Sequence, residues 1–126
     1  MKRLVLPFLL VVVVAGAVVL ATGRLPAPSG APSRTVLLSM RNYAYNDSNP
    51  TLLFEPGERV RFVVRNDEDT PVKHNFGIPA LGVACGSDLL PGETREVVVT
   101  FSRPGEFAYS CCTHRGMGGR VIVRRR

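Results

Sequence analysis

Histidine is nearly missing from this chain: of 126 residues only His74 and His114 are histidines, and cysteine is held to three. Two histidines are too few for the exposed, exchangeable ligand arrays of proteins that store or hand on metal. Three cysteines are an odd number, so an intramolecular disulfide framework cannot use them all and at least one thiol needs another role. The central part of the chain also lacks net charge. Lys2, Arg3 and Arg24 flank the apolar N-terminus and Arg124, Arg125 and Arg126 end the chain, which leaves residues 25–123 with ten basic against ten acidic side chains. A nucleic-acid binder would concentrate its basic excess inside the domain. The formal charge of +6 is therefore no argument for nucleic acid as a partner.

Charge is also absent from residues 4–22, an apolar run behind the basic head Met1-Lys2-Arg3. As a helix, such a run spans about 28 Å, enough to cross a bilayer core. A secretory signal has the same order but an apolar region of about 7–15 residues, and Val19-Leu20-Ala21 offers a small-residue cleavage site. The length favours an uncleaved signal-anchor over residues 1–23; secretion after cleavage near Ala21 is the alternative. With no polar face, a buried core helix is the poorer explanation. Either way the positive head stays inside and the rest is exported to the periplasmic or cell-surface side of the cytoplasmic membrane. No cysteine follows the run, so lipid attachment there is not indicated. Residues 24–34, with prolines, serines and a glycine, read as a semi-rigid spacer.

Beyond residue 34 no segment of helical length has a 3.6-residue period. Short runs rich in Val, Phe, Tyr and Ile predict strands at Thr35–Arg41, Thr51–Phe54, Arg59–Arg65, Val72–Ile78, Thr94–Phe101, Glu106–Cys111 and Gly119–Arg124. Three turns share a signature, Glu55-Pro56-Gly57-Glu58, Leu90-Pro91-Gly92-Glu93 and Arg103-Pro104-Gly105-Glu106, as type II turns require. Together these predict an all-β, antiparallel sandwich of seven to eight strands over residues 35–124, with 125–126 a solvated basic tail. Residues 79–88 are irregular and receive no assignment.

One stretch concentrates chemistry: Tyr109-Ser110-Cys111-Cys112-Thr113-His114-Arg115-Gly116-Met117-Gly118-Gly119 contains Cys-x2-His-x2-Met. With His74 it supplies a thiolate, two imidazoles and a weak thioether, the donor set of a mononuclear blue-copper electron-transfer site. Strand alternation puts Phe107, Tyr109 and Cys111 on one face and Ala108, Ser110 and Cys112 on the other. The aromatic face should be the core face, so Cys111 points inward as the ligand. Cys112 points away, which disfavours a binuclear centre bridged by both thiolates. With both histidines given to metal, no catalytic constellation remains, and an enzyme is not expected.

The run Gly105 to Val123 resembles the C-terminal half of the type 1 (blue) copper cupredoxins, its ligand loop being most like that of amicyanins and plastocyanins. Glu55-Pro-Gly-Glu-Arg-Val-Arg-Phe, then Asn66-Asp67, then His74-Asn75-Phe76 follow the family's order. The resemblance implies a Greek-key sandwich with one copper held by His74, Cys111, His114 and Met117. It also implies that Asn75 ties the two ligand loops by hydrogen bonds, beside Cys112 and Thr113. The His114 edge would be the electron port, rimmed by Arg115 and Gly116. Partners would be redox proteins, such as a cytochrome, oxidase or dehydrogenase. Position 112 usually holds Ser or Thr in the family. Cys112 could form a vicinal disulfide with Cys111 or, in an exported protein, pair with Cys85 and leave Cys111 free for metal. Tyr43 and Tyr45 are read as packing residues. Two other functions fit the donors: an extracytoplasmic copper chaperone or store, and a structural zinc site using His74, Cys111 and His114, with Cys112 an optional fourth ligand, in which Met117 would be incidental.

Overall fold

The computed structural model describes residues 30–126. The expected signal-anchor and most of the expected spacer lie outside the described residues. Among the described residues no helix is long and apolar enough to cross a membrane.

Seven strands run in order: β1 Arg34–Arg41, β2 Ala44–Tyr45, β3 Leu52–Phe54, β4 Arg59–Asn66, β5 Thr94–Thr100, β6 Gly105–Ser110 and β7 Gly118–Val123. They form two sheets, with orders β2-β1-β4-β5 and β3-β7-β6. Inward positions follow the alternation of the sequence. Val60, Phe62 and Val64 of β4 are wholly buried, as are Met40 of β1 and Val121 of β7. Between the sheets Phe54 stacks on Phe101 with ring centroids 4.6 Å apart, and Phe62 meets Phe76 at 5.2 Å. Burying each such aromatic in place of solvent contributes about 1.5–3 kcal/mol. At one end the core closes on Tyr45, Phe76, Tyr109, Cys111 and Met117, all nearly inaccessible.

Three sequence expectations need correction. The sandwich is mixed rather than antiparallel, because β1 pairs with β4 and β3 with β7 in parallel. The Pro-Gly turns at 56–57 and 104–105 are the reason. They carry the chain from β3 to β4 and from β5 to β6, strands of opposite sheets, instead of closing hairpins. Second, Gly57 and Gly92 take φ of 93° and 85° as type II turns demand, but Gly105 has φ 150° and already belongs to β6. Third, Val72–Ile78 is not a strand. Its backbone bonds are divided among separate neighbours, with isolated bridges from His74 to Leu89, Gly77 to Ser110 and Ile78 to Val83. The Asn75 N–H turns to the Cys111 sulfur at 3.5 Å. A ligand segment that serves three neighbours cannot also run along one.

Strand β2 escaped the sequence reading because it has two residues and follows a turn without glycine. Asn42 and Tyr43 both adopt positive φ, 51° and 60°, as a two-residue type I′ hairpin requires. Tyr45 is packing, as expected, and its hydroxyl donates to the Asn75 carbonyl at 2.5 Å. Tyr43 is not, being 54 % exposed. The irregular region contains a single 3-10 turn, Pro79–Leu81.

Candidate metal centre

Three donors converge at the core's closed end. His74 sits on the long connection between β4 and β5, where its N–H and C=O exchange hydrogen bonds with Leu89 at 3.2 and 2.7 Å. Cys111 follows the last residue of β6 and is buried with its aromatic face-mates, while Cys112 is exposed. The loop to β7 is held by Cys111 N–H to the Met117 carbonyl at 3.0 Å and by Met117 N–H to the His114 carbonyl at 3.2 Å. The result sets His74 Nδ1 3.2 Å from His114 Nδ1, and the Cys111 sulfur 3.4 Å from His114 Nδ1. All three donor atoms lie within 4.8 Å of one another, a spread that metal bonds of about 2.0–2.3 Å can bridge. Met117 is buried where the loop returns to β7.

The surroundings complete the set. The sulfur receives the Asn75 N–H and lies 3.3 Å from the Thr113 hydroxyl. The Asn75 side chain spans the two ligand segments: its Oδ1 accepts from Cys112 N–H at 2.7 Å and its amide donates to Asp88 at 2.7 Å. Cys112 is bonded to Cys85 in a disulfide, with Cα atoms 6.1 Å apart. Cys111 is the one free thiol among the described residues. His74 is fully buried and His114 half-buried, with Thr113, Arg115 and Gly116 exposed around it.

Two residues at the site carry no sequence signal. Glu68 accepts from His74 Nε2 at 2.8 Å, with its side chain only 6 % exposed. It is one of three consecutive acids, Asp67-Glu68-Asp69, and nothing in that run marks which one turns inward. Burial pushes its carboxyl up, but the hydrogen bond and charge of His74 and the backbone N–H groups of Asn42 and Tyr43 outweigh this, and the net shift is downward. Tyr43 stands edge-on to both imidazoles, 5.8 Å from His74 and 5.0 Å from His114 between centroids. Beneath the donors, burial holds the Tyr109 phenol up at about 12. Burial, reinforced by the charges of Cys111 and Tyr109, raises that of Tyr45 further still. Both stay neutral donors at any physiological pH.

Gly77 ties the His74 segment to the end of β6. It exchanges both backbone bonds with Ser110 at 3.0 Å, and a Cβ there would meet the Cys85 backbone N and sulfur at 2.8 Å. Gly77→Ala is expected to cost about 1–3 kcal/mol of stability by overpacking, read as a lower urea midpoint. An unchanged midpoint contradicts that close contact.

The donor chemistry fits one metal of a particular kind. A buried thiolate beside two imidazole nitrogens, with a thioether nearby, is the selection that suits copper and electron transfer. The fold and this site define a type 1 copper β-sandwich. The family model described as a cupredoxin-like domain matches residues 10–123, and the chain belongs to that family. Similar solved structures share the fold. Auracyanin B aligns over 76 % of this chain and 92 % of its own, at 18 % identity and a TM-score of 0.63. A dithionite-reduced auracyanin from Roseiflexus castenholzii aligns over 75 % and 100 %, at 19 % identity and a TM-score of 0.60. The copper-containing nitrite reductase of Thermus scotoductus aligns over 74 % of this chain but 28 % of its own, at 24 % identity and a TM-score of 0.59. His74, Cys111 and His114, with Met117, form a candidate type 1 copper site.

Proposed function

We propose that this cupredoxin is an extracytoplasmic electron carrier, tethered by residues 4–22, that passes single electrons between redox proteins. His74, Cys111, His114 and Met117 are its metal ligands. The observation that carries this reading is the convergence of two imidazole nitrogens and one buried sulfur, with His114 alone of the three reaching the surface. When bound, copper supplies a one-electron couple between its cupric and cuprous states, whose preferred geometries differ. The residues of the chain hold the donors at a fixed compromise. The Leu89 bridges fix His74, Asn75 joins its segment to the Cys111 loop, and the disulfide pins that loop from outside. The Asn75 N–H and the Thr113 hydroxyl tune the sulfur through hydrogen bonds. The half-buried His114 edge is the electron port. Arg115 and Gly116 form its rim, and Arg115 suits a cytochrome, oxidase or dehydrogenase with acidic groups around its own port.

Rival readings lose support on particular residues. A Cys2His2 zinc site would need the Cys112 sulfur, which is bonded to Cys85. A copper store or chaperone would present its ligands for exchange, whereas His74 and Cys111 are buried. The likeness to nitrite reductase covers about a quarter of that enzyme, and here both histidines serve the one site. The deciding experiment is voltammetry of the copper-loaded chain with and without a cuprous chelator. A reversible one-electron wave that persists in chelator supports the carrier; rapid loss of copper to the chelator contradicts it and supports the chaperone.

A further inference from the structure

The run Asp67-Glu68-Asp69 holds one carboxylate that its neighbours do not explain. Asp67 pairs with Arg65 and Asp69 with Arg41, both near the surface. Glu68 turns inward instead, with 6 % of its side chain exposed, and its side-chain partner is His74. The carboxylate takes the proton on Nε2, which fixes the tautomer and leaves Nδ1 as a lone pair facing the site. An imidazole that ligates metal is neutral and does not neutralise a buried carboxylate, and burying an unmatched charge is costly.

The cover over this pair is also unusual. The backbone N–H groups of Asn42 and Tyr43 favour the ionised Glu68 carboxylate. In this type I′ turn Tyr43 holds φ of 60°, a left-handed conformation that glycine or asparagine adopts far more readily than a bulky aromatic. Strain of this kind, of order 1–3 kcal/mol, persists where the surroundings over-determine it, and it clusters at functional sites. Here the same turn lays the Tyr43 ring across the edges of His74 and His114. One hairpin turn thus screens the Glu68–His74 pair from water and caps both imidazoles.

We infer that Glu68 is a positioning residue whose buried negative charge, delivered through His74, favours the oxidised site over the reduced one and lowers the reduction potential of the bound copper. The inference rests on the copper reading of the site. The sign follows from charge: a cupric ion with one thiolate is a net cation and a cuprous ion with one thiolate is neutral. A carboxylate shielded from solvent therefore attracts the first more strongly than the second. The turn residues matter because water admitted at Tyr43 would screen that attraction.

The test is Glu68→Gln in the copper-loaded full chain, since glutamine retains an oxygen for His74 Nε2 and removes the charge. Cupric affinity is expected to fall about tenfold, the lower end for the loss of an outer-sphere partner, while cuprous affinity is unchanged. That tenfold difference equals a potential rise of about 59 mV for one electron, with the visible spectrum retained. Equal weakening of both oxidation states, or an unmoved potential in a blue variant, shows a scaffold role only and overturns the inference. A colourless wild-type chain overturns the copper reading itself, and this inference with it. If Glu68→Gln does not fold, Tyr43→Gly relaxes the strained turn and removes the ring over the pair while leaving Glu68 and His74 themselves in place. Its potential should rise in the same direction by less, and a value equal to that of wild type is contradictory.

Discussion

Cys111→Ser is expected to leave the copper-supplied chain colourless, while Cys112→Ser keeps an intense visible charge-transfer band. The two sulfurs are neighbours in sequence but not in environment. The Cys111 side chain lies in the core, receives the Asn75 N–H, and sits 3.4 Å from His114 Nδ1. Cys112 is exposed and already bonded to Cys85. The band requires thiolate bound to cupric ion, and a serine hydroxyl stays protonated and is a hard, neutral donor that does not suit this site. Because Cys112 projects from the opposite face of the β6 extension, its thiol cannot take over without reversing the strand's facing. Visible absorption of both variants reads the outcome. A blue Cys111→Ser protein would mean that the wrong sulfur has been assigned.

The second large effect is on stability. Replacing both Cys85 and Cys112 by serine removes a cross-link between residues 27 apart in sequence. On the chain-entropy model a loop of that length is worth about 3–4 kcal/mol, a large fraction of the total for a domain of this size. The loss should appear as a fall in the urea midpoint with a somewhat steeper slope, since the denatured chain freed of the cross-link exposes more surface while the core itself is untouched. The bridge also joins the irregular segment after His74 to the residue beside Cys111, so copper should dissociate faster from the serine variant. A midpoint that moves by under about 1 kcal/mol equivalent would show that the reduced chain is already constrained.

How much of this could be read from the residues alone depends on whether the signal was local. The donors were legible because Cys-x2-His-x2-Met is a compact pattern, and the Phe107-Tyr109-Cys111 alternation told the inward sulfur from the outward one. Strands β1, β4, β5, β6 and β7 were legible for the same reason, each within a residue or so at its ends. Parallel pairing was not, because Pro-Gly turns look alike whether they close a hairpin or cross between sheets. Val72–Ile78 has strand-like residues, yet its backbone is claimed by Leu89, Ser110 and Val83, partners that sequence does not announce. Glu68 and Tyr43 were invisible because their roles exist only in three dimensions. One is an acid among acids, and the other an aromatic that a local reading consigns to packing. The proposed membrane tether rests on residues 4–22 alone, outside the described part of the chain.

The most direct measurement is anomalous diffraction at the copper edge from crystals of the copper-loaded chain. A single peak within bonding distance of His74 Nδ1, His114 Nδ1 and the Cys111 sulfur is the predicted result. No peak there, or copper held elsewhere with these three donors empty, would contradict it.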